Sequence, residues 1–476
     1  MNWKNEALDR LFNPKAIAVV GASDAPDKLG ALSLLALNSF EGTVIPVNPR
    51  LQSIQGHKCY PTVTSIETPI DLAILAVGPH QVLSALEDCA KSKVGGAIIF
   101  SAGFKELGGI GIEHQKRVRE LVEKAHIAVI GPNCLGAGNP GINLNATFFP
   151  HPIPMKAGSV AMVSQSGGVT GLMLYRASDV ELGVSKFASV GNRVNIDFHD
   201  MVRFLRDDPS TDVICLFIEG TEYGREMMNE IAKTTPEKPV IVYKVGKTPS
   251  SRDAALSHTG SLAGNAELYS SAIRQSGGVE VSGVEEMIDL GYLLSTCKHK
   301  PSGNRVAVLT HTLGVALIVA QTLEENEVQL PIPYEQTAKQ IQDSLGMPLE
   351  FPIKNPIDLL ATGWANPKIF ADAFRLILHE DQYDSVVIVF SPNYQEGIGG
   401  GMPIKEIVET TRDCDKPVVS VLTSPITRKP PGYEVLEKGG IPFFSSPQRA
   451  ARALAYAIQL SKHAQIKKSA AAPAAA

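Results

Sequence analysis

A chain of 476 residues exceeds what one hydrophobic core ordinarily holds, so two to four domains are expected. Hydrophobic residues at 44% against 20% charged exclude a disordered chain. A net charge of −5, with no long basic run, gives no pull towards nucleic acid or an anionic membrane surface, so an anionic ligand must be held by local groups.

The opening "MNWKNEALDRLFNPKAIAVVGAS" carries acids early and no apolar core before its first strand, so it does not read as a secretory signal. No window approaches the roughly 20 apolar residues of a membrane helix. The 6 cysteines (Cys59, Cys89, Cys134, Cys215, Cys297, Cys414) lack CxxC spacing, which points to reduced, buried thiols and a cytoplasmic protein without a metal site.

Along the chain, "AIAVVGAS", "TVIPVNP", "LAILAVGP", "GAIIFSAG" and "IAVIGPN" are continuous apolar runs alternating with helical patterns. Such runs are buried on both faces of parallel, doubly wound α/β sheets. Residues 1–145 are therefore expected to form a Rossmann-like domain. A Gly/Pro/Asn-rich passage follows as a joint. The rhythm restarts at "SVAMVSQSGG" for a flavodoxin-like domain over 146–297, and again at "RVAVLTHTLG" for a second one over 304–465. The end, 466–476, is low in complexity and reads as a disordered tail.

Ligands of open α/β sheets lie beyond the carboxyl ends of strands. There the sequence places Gly21, Ala22 and Ser23, a turn opening a helix and suited to an anion. It is not GxGxxG. After the second strand stand Asn48, Pro49 and Arg50, where an NAD enzyme would want an acid; Asn and Arg tolerate the 3′-phosphate of coenzyme A. Val77, Gly78 and Pro79, then Ser101, Ala102 and Gly103, and finally Asn133 end the following strands. Any of these turns is also compatible with plain strand-to-helix connection.

In the second block Ser164, Gln165, Ser166, Gly167 and Gly168 line a helix start with hydroxyl and N–H donors, suiting phosphate or serving as a simple N-cap. Glu219 closes "VICLFIEG", either as a helix cap or as an orienting carboxylate. His258, in "SRDAALSHTGSLAGNAEL", stands on a small-sided segment near Lys244, Lys247 and Arg252. It lacks metal-ligand neighbours, and no GxSxG offers it a serine. A histidine nucleophile that accepts a phosphoryl group is the reading that remains.

The set "VVGAS", "SAGFKE", "GPNCLG", "NLNATF", "SQSGG", "SVGN", "SHTGSLAG" and "NPIDLL" resembles the α subunit of ADP-forming acetyl-CoA synthetases, the NDP-forming acyl-CoA synthetases related to succinyl-CoA synthetase. The resemblance implies a reversible reaction between acyl-CoA, phosphate and ADP and a free acid, CoA and ATP, through an acyl phosphate. It implies phosphorylation of His258, with Glu219 holding the imidazole. Turns at Gly21–Ser23, Val47–Pro49, Val77–Pro79 and Ser101–Gly103 would hold CoA, and Ser164–Gly168 phosphate. It further implies an ATP-grasp β subunit that binds ADP/ATP and Mg²⁺, in an α2β2-like hetero-oligomer, and a segment carrying His258 between two sites. Departures are "LTHTLG" in the third block, Val169, Thr170 and Gly171 where succinate enzymes place a Tyr, and Arg193, compatible with another acid or with the surface. Competing readings are an NAD-dependent oxidoreductase and a non-catalytic CoA sensor or scaffold.

Overall fold

Apolar β-branched runs without polar alternation must bury both faces, and here they do so as parallel strands. The structure, a computed structural model, describes residues 2–149, 155–250, 266–348, 352–391, 402–423 and 433–471. The chain divides into two compact units, Met1–Ile288 and Asp289–Ala476.

The first sheet contains β1 (Ala16–Val20) and β2 (Thr43–Val47). After a small hairpin of β3 (Ser53–Ile54) and β4 (His57–Lys58) come β5 (Leu72–Leu75), β6 (Gly96–Ile99) and β7 (Ala128–Ile130), in the order β2-β1-β5-β6-β7. The second sheet is built from β8 (Gly136–Asn139), β9 (Leu144–Thr147), β10 (Ala157–Ser164), β11 (Val184–Ser189), β12 (Val213–Ile218), β13 (Val240–Lys244) and β14 (Val279–Glu280). Its order is β14-β13-β12-β10-β11-β8-β9. The third contains β15 (Val306–Thr310), β16 (Ile357–Asp358), β17 (Ser385–Phe390), β18 (Val418–Leu422) and β19 (Phe443–Phe444), in the order β16-β15-β17-β18-β19. Counting only parallel strands in chain order, all three sheets run 2-1-3-4-5, the flavodoxin-like winding. Each therefore has its switch point between its first and third parallel strands.

The passage read as a joint also supplies structure. β8 pairs antiparallel with β11, and β9 with β8. Gly136, Ala137 and Gly138 bring no bulk against Phe187–Ser189, so the hairpin seals that edge of the second sheet.

The first and second sheets share one hydrophobic cluster, in which Leu72 and Ile130 belong with Ala161 and Ile214. The helix Trp3–Phe12 joins them. It starts at Asn2, whose side chain accepts the Lys4 N–H, and buries Ala7, Leu8, Leu11 and Phe12. The Phe12 ring stacks on Phe204 at 5.4 Å, and Lys4 Nζ reaches the buried Asp200 at 3.2 Å. The third sheet has its own core around Phe370, Phe374 and Tyr383.

The last helix, Pro447–Ala471, continues past 466, where the composition places a tail. Ala and Lys are strong helix formers, which corrects that expectation; residues 472–476 lie outside the described ones.

Burial pushes the Cys89, Cys134 and Cys215 thiols up to about 12. Thiolate is the reactive form. Iodoacetamide at pH 8 is therefore expected to leave these three unmodified in the native chain and to modify them in urea, as peptide mapping would read.

Candidate active site at the carboxyl ends of two parallel sheets

At the first switch point Gly21 adopts φ +86°, and a Cβ there would stand 2.5 Å from the Ala76 carbonyl oxygen. Only glycine fits between the ends of β1 and β5. The Gly21 and Ala22 N–H groups both donate to the Val47 carbonyl, at 2.9 and 3.3 Å. The helix begins only at Leu29. The Gly21–Ser23 turn is thus not the helix opening with free amides that the sequence suggests; two of its amides extend the β1–β2 ladder. Asn48 is similarly engaged: its Nδ2 donates to the Ala22 carbonyl at 2.8 Å and its Oδ1 accepts the Arg50 N–H at 2.9 Å. Pro49 and Arg50 are exposed beside it.

Val77, Gly78 and Pro79 follow β5, with Gly78 as the N-cap of the helix Pro79–Lys91. Ser101, Ala102 and Gly103 follow β6. Gly103, at φ +113°, comes so near Pro79 that a Cβ would lie 3.0 Å from its ring. Ser101 keeps a buried hydroxyl without a hydrogen-bond partner, and its carbonyl accepts the Asn133 N–H at 3.0 Å. The expected residues of this sheet therefore gather at one edge, beyond adjacent strand ends.

On the second sheet, Ser164 closes β10 and its hydroxyl donates to the Ser166 carbonyl at 2.8 Å. Ser166 caps the helix Gly167–Asp179, accepting the Val169 N–H at 3.4 Å. By position, the Gly167 and Gly168 N–H groups at the first turn have no intrahelical acceptor. Thr170 spends its hydroxyl on the Ser166 carbonyl, and Gly171 makes room for Phe149.

Gln165, only 3% exposed, reaches across to the turn after β12. Its Oε1 accepts the N–H groups of Glu219 at 3.0 Å and Gly220 at 3.1 Å. Its Nε2 is buried without a hydrogen-bond partner. The same turn is held twice more. The Lys244 ammonium, at the end of β13, donates to the Glu219 carbonyl at 2.8 Å and to the Val245 carbonyl. The Tyr269 hydroxyl accepts the Thr221 N–H at 3.0 Å, and the Lys244 ammonium lies 4.7 Å from the Tyr269 ring centroid. The Glu219 carboxylate, itself buried, thus stands on a backbone that cannot tilt.

Tyr269 is a residue the sequence reading missed, because nothing local marks it. Lys244 is fully buried. Lys247 forms an ion pair with Glu280 at 2.8 Å. Arg193 is also buried, with φ +56°, and its Nε pairs with Asp197 at 3.0 Å, which excludes the surface reading. Asp197 in turn accepts the Thr221 hydroxyl at 3.3 Å. Burial, and then the Arg193 charge, lower the pKa of the nearby Lys105. His258 and Arg252 lie outside the described residues.

The third sheet repeats the scaffold in different chemistry. Thr310 closes β15 and His311 and Thr312 follow it, as Ser164 closes β10 and Gln165 and Ser166 follow. The Thr310 hydroxyl accepts the Thr312 N–H at 2.7 Å, as Ser164 accepts that of Ser166 at 3.2 Å. His311 Nε2 accepts the N–H of Ser391, just past β17, at 3.0 Å, as Gln165 accepts that of Glu219. Its Nδ1 is buried without a hydrogen-bond partner. Leu313 replaces Gly167 at the helix start. The "LTHTLG" departure therefore conserves the bracing bond and changes what the turn presents.

Two outcomes follow. In Lys244→Met two carbonyls lose their donor, which costs about 1–3 kcal/mol; a lower melting temperature together with lower turnover is expected. Burial pushes the His311 imidazole down to about 4 from 6.5. The unfolded chain takes up that proton first, so stability falls as pH drops from 6.5 towards 4. His311→Gln preserves the acceptor, and thermal melts at pH 7 and pH 5 should show a smaller acid loss than in the wild type.

Two family models match the chain: a CoA binding domain over residues 15–140, and a succinyl-CoA ligase like flavodoxin domain over residues 157–294. The α subunit of acetate–CoA ligase (ADP-forming) II from Pyrococcus furiosus is 34% identical over 459 residues, covering 96% of this chain and 98% of that subunit. Acetate–CoA ligase (ADP-forming) I of Archaeoglobus fulgidus is 35% identical over 455 residues, but this chain spans only 64% of it. A solved structure of the dinucleotide-forming acetyl-coenzyme A synthetase 1 of Ca. Korarchaeum cryptofilum, in complex with phosphate and ADP, matches with a TM-score of 0.86 at 32% identity, covering 98% of this chain and 99% of that one. At this identity and over this extent, this chain belongs to the ADP-forming acetate–CoA ligase family, in its α-subunit form.

Proposed function

We propose that the chain activates a small carboxylic acid as its CoA thioester, with His258 as the phosphoryl carrier and Glu219 as its orienting carboxylate. The observation that carries this reading is the rigid Glu219 turn beside the helix Gly167–Asp179. Lys244 and Tyr269, which brace that turn, flank the segment bearing His258 on its two sides.

In the direction of acid activation, a phosphoryl group passes from ATP to an imidazole nitrogen of His258, releasing ADP. The P–N bond breaks as a carboxylate oxygen of the acid attacks phosphorus. The C–O bond of the acyl phosphate then breaks as the CoA sulfur attacks the carbonyl carbon, and phosphate leaves with the thiol proton. The Gly167 and Gly168 amides, with Gln165 Nε2, supply fixed donors for the phosphate oxygens. Ser164 and Ser166 set that turn. CoA lies along Gly21–Ser23, Val47–Pro49, Val77–Pro79, Ser101–Gly103 and Asn133, with Arg50 exposed near the nucleotide end.

ATP, ADP and Mg²⁺ are handled by an ATP-grasp β subunit in a hetero-oligomer of α2β2 type. The longer A. fulgidus relative, of which this chain spans 64%, supports the need for a further module. His258 would then serve the two sites in turn.

In the assembled enzyme, ATP and Mg²⁺ are expected to leave base-stable, acid-labile phosphate on the chain, and His258→Ala to reduce it to background; undiminished label in that variant would sink the assignment. Titration separates the competing readings. The chain is expected to bind CoA and not NADH, and the reverse result would favour an oxidoreductase.

A further inference from the structure

The two sheets of the first unit meet through a carboxylate that the mechanism above does not use. Glu106, in "SAGFKE", accepts the Gly103 N–H at 2.6 Å and the Phe104 N–H at 3.2 Å on Oε1. Its Oε2 accepts Asn192 Nδ2 at 2.6 Å. Asn192 is 1% exposed and belongs to the loop after β11 on the other sheet. Its Nδ2 also donates to Gln115 Oε1 at 3.1 Å, an oxygen that accepts the Lys105 N–H at 3.3 Å. Its Oδ1 receives Asn133 Nδ2 at 3.5 Å.

The loop is sewn down on the same side by backbone. The Asn192 N–H donates to the Pro132 carbonyl at 2.9 Å and the Val194 N–H to the Gly131 carbonyl at 3.0 Å. At Gly191, φ +52°, a Cβ would fall 2.3 Å from the Pro132 carbonyl oxygen. Arg193, which follows Asn192, pairs with Asp197, which holds the Thr221 hydroxyl beside Glu219. Glu106 is thus the point where the turn at Gly103 is tied to a relay ending at the Glu219 turn. Burial alone would raise its pKa, but the Gly103 N–H, the Asn192 amide and the Phe104 N–H together hold it below the usual carboxylate range.

We infer that Glu106 and Asn192 are a positioning pair for thioester formation: they set the Ser101–Gly103 turn, and with it the thiol end of CoA, in register with the acyl phosphate on the second sheet. The inference rests on the CoA site proposed above. A near-attack geometry is sensitive to displacement, and a misplacement of about 1 Å can cost about 100-fold. A clamp serving stability alone would instead affect every partial reaction together.

The partial reactions separate the two roles. Acetyl phosphate and CoA, given to the assembled enzyme, report the thiol step as acetyl-CoA formed; ATP and Mg²⁺ report phosphoryl transfer to the chain without CoA. Glu106→Gln sets one amide against another, and is expected to slow the thiol step about 10- to 100-fold while phosphoryl labelling stays within about twofold. In the Glu106→Gln/Asn192→Asp double variant the new amide can donate to the new carboxylate, and about tenfold of the loss should return. Equal losses in both partial reactions, no loss in either, or no recovery in a double variant that melts as the wild type does would overturn the inference. Isothermal titration of the wild type with CoA keeps the two levels apart: a chain that binds no CoA would overturn the CoA site itself and this pairing with it.

Discussion

The docking of the 190–194 loop onto the strand ends at 131–133 is the constraint on which the first unit depends. It is contact of backbone on backbone, with N–H groups of the loop donating to the Gly131 and Pro132 carbonyls and glycine at 191, where a Cβ would collide with the Pro132 carbonyl oxygen. Side chains add Glu106, Asn192 and Asn133. Because both partners lie just beyond carboxyl ends of parallel strands, β7 and β11, the carboxyl-end edges of the two sheets abut there. A doubly wound sheet offers a ligand site only at that end, so chemistry needing two ligands is best served by abutting two such ends.

Charge within this edge is organised by pairing. Arg193 with Asp197 and Lys244 with two carbonyls are buried ions, each costly to remove from water and tolerable only with its partners in place. Their return is rigidity. The Glu219 turn has backbone groups bound by Gln165, Lys244 and Tyr269, so its carboxylate stands on a backbone held from three sides. Under the proposed function a phosphoryl group would bring charge to this edge, where amides at a helix start can receive it without a cation.

The third sheet shows how far the same scaffold can drift. Its His311 makes the bond that Gln165 makes, to the first amide past the third parallel strand. An imidazole held neutral by burial can accept there as an amide oxygen does. Leu313, however, puts a side chain where Gly167 has none. In sequence the two turns share a pattern of hydroxyl, acceptor, hydroxyl and a glycine two positions on, Gly168 and Gly314. Their likeness lies in a hydrogen bond to a residue 80 positions away for His311 and 54 for Gln165.

Much of this was legible in the residues. Continuous apolar runs such as "VICLFI" and "AIAVV" have one stable use, as buried parallel strands, and small residues after them mark the ends where ligands lie. The motifs around "SQSGG", "SAGFKE" and "SHTG" pointed to the family on the same local basis. What the sequence by itself determined is therefore the alternation of strands and helices and which turns close the strands' carboxyl ends, because hydrophobic period and turn chemistry act over a few residues. Only the tertiary structure decided that Gly21 and Ala22 spend their amides on Val47, that Asn48 is a brace, that Arg193 and Lys244 are buried, and that Tyr269, Glu106 and Asn192 are hydrogen-bonded to the turns after the strands. Each of these depends on partners brought close by folding, and a side chain's donors and acceptors are assigned only when those partners are in reach.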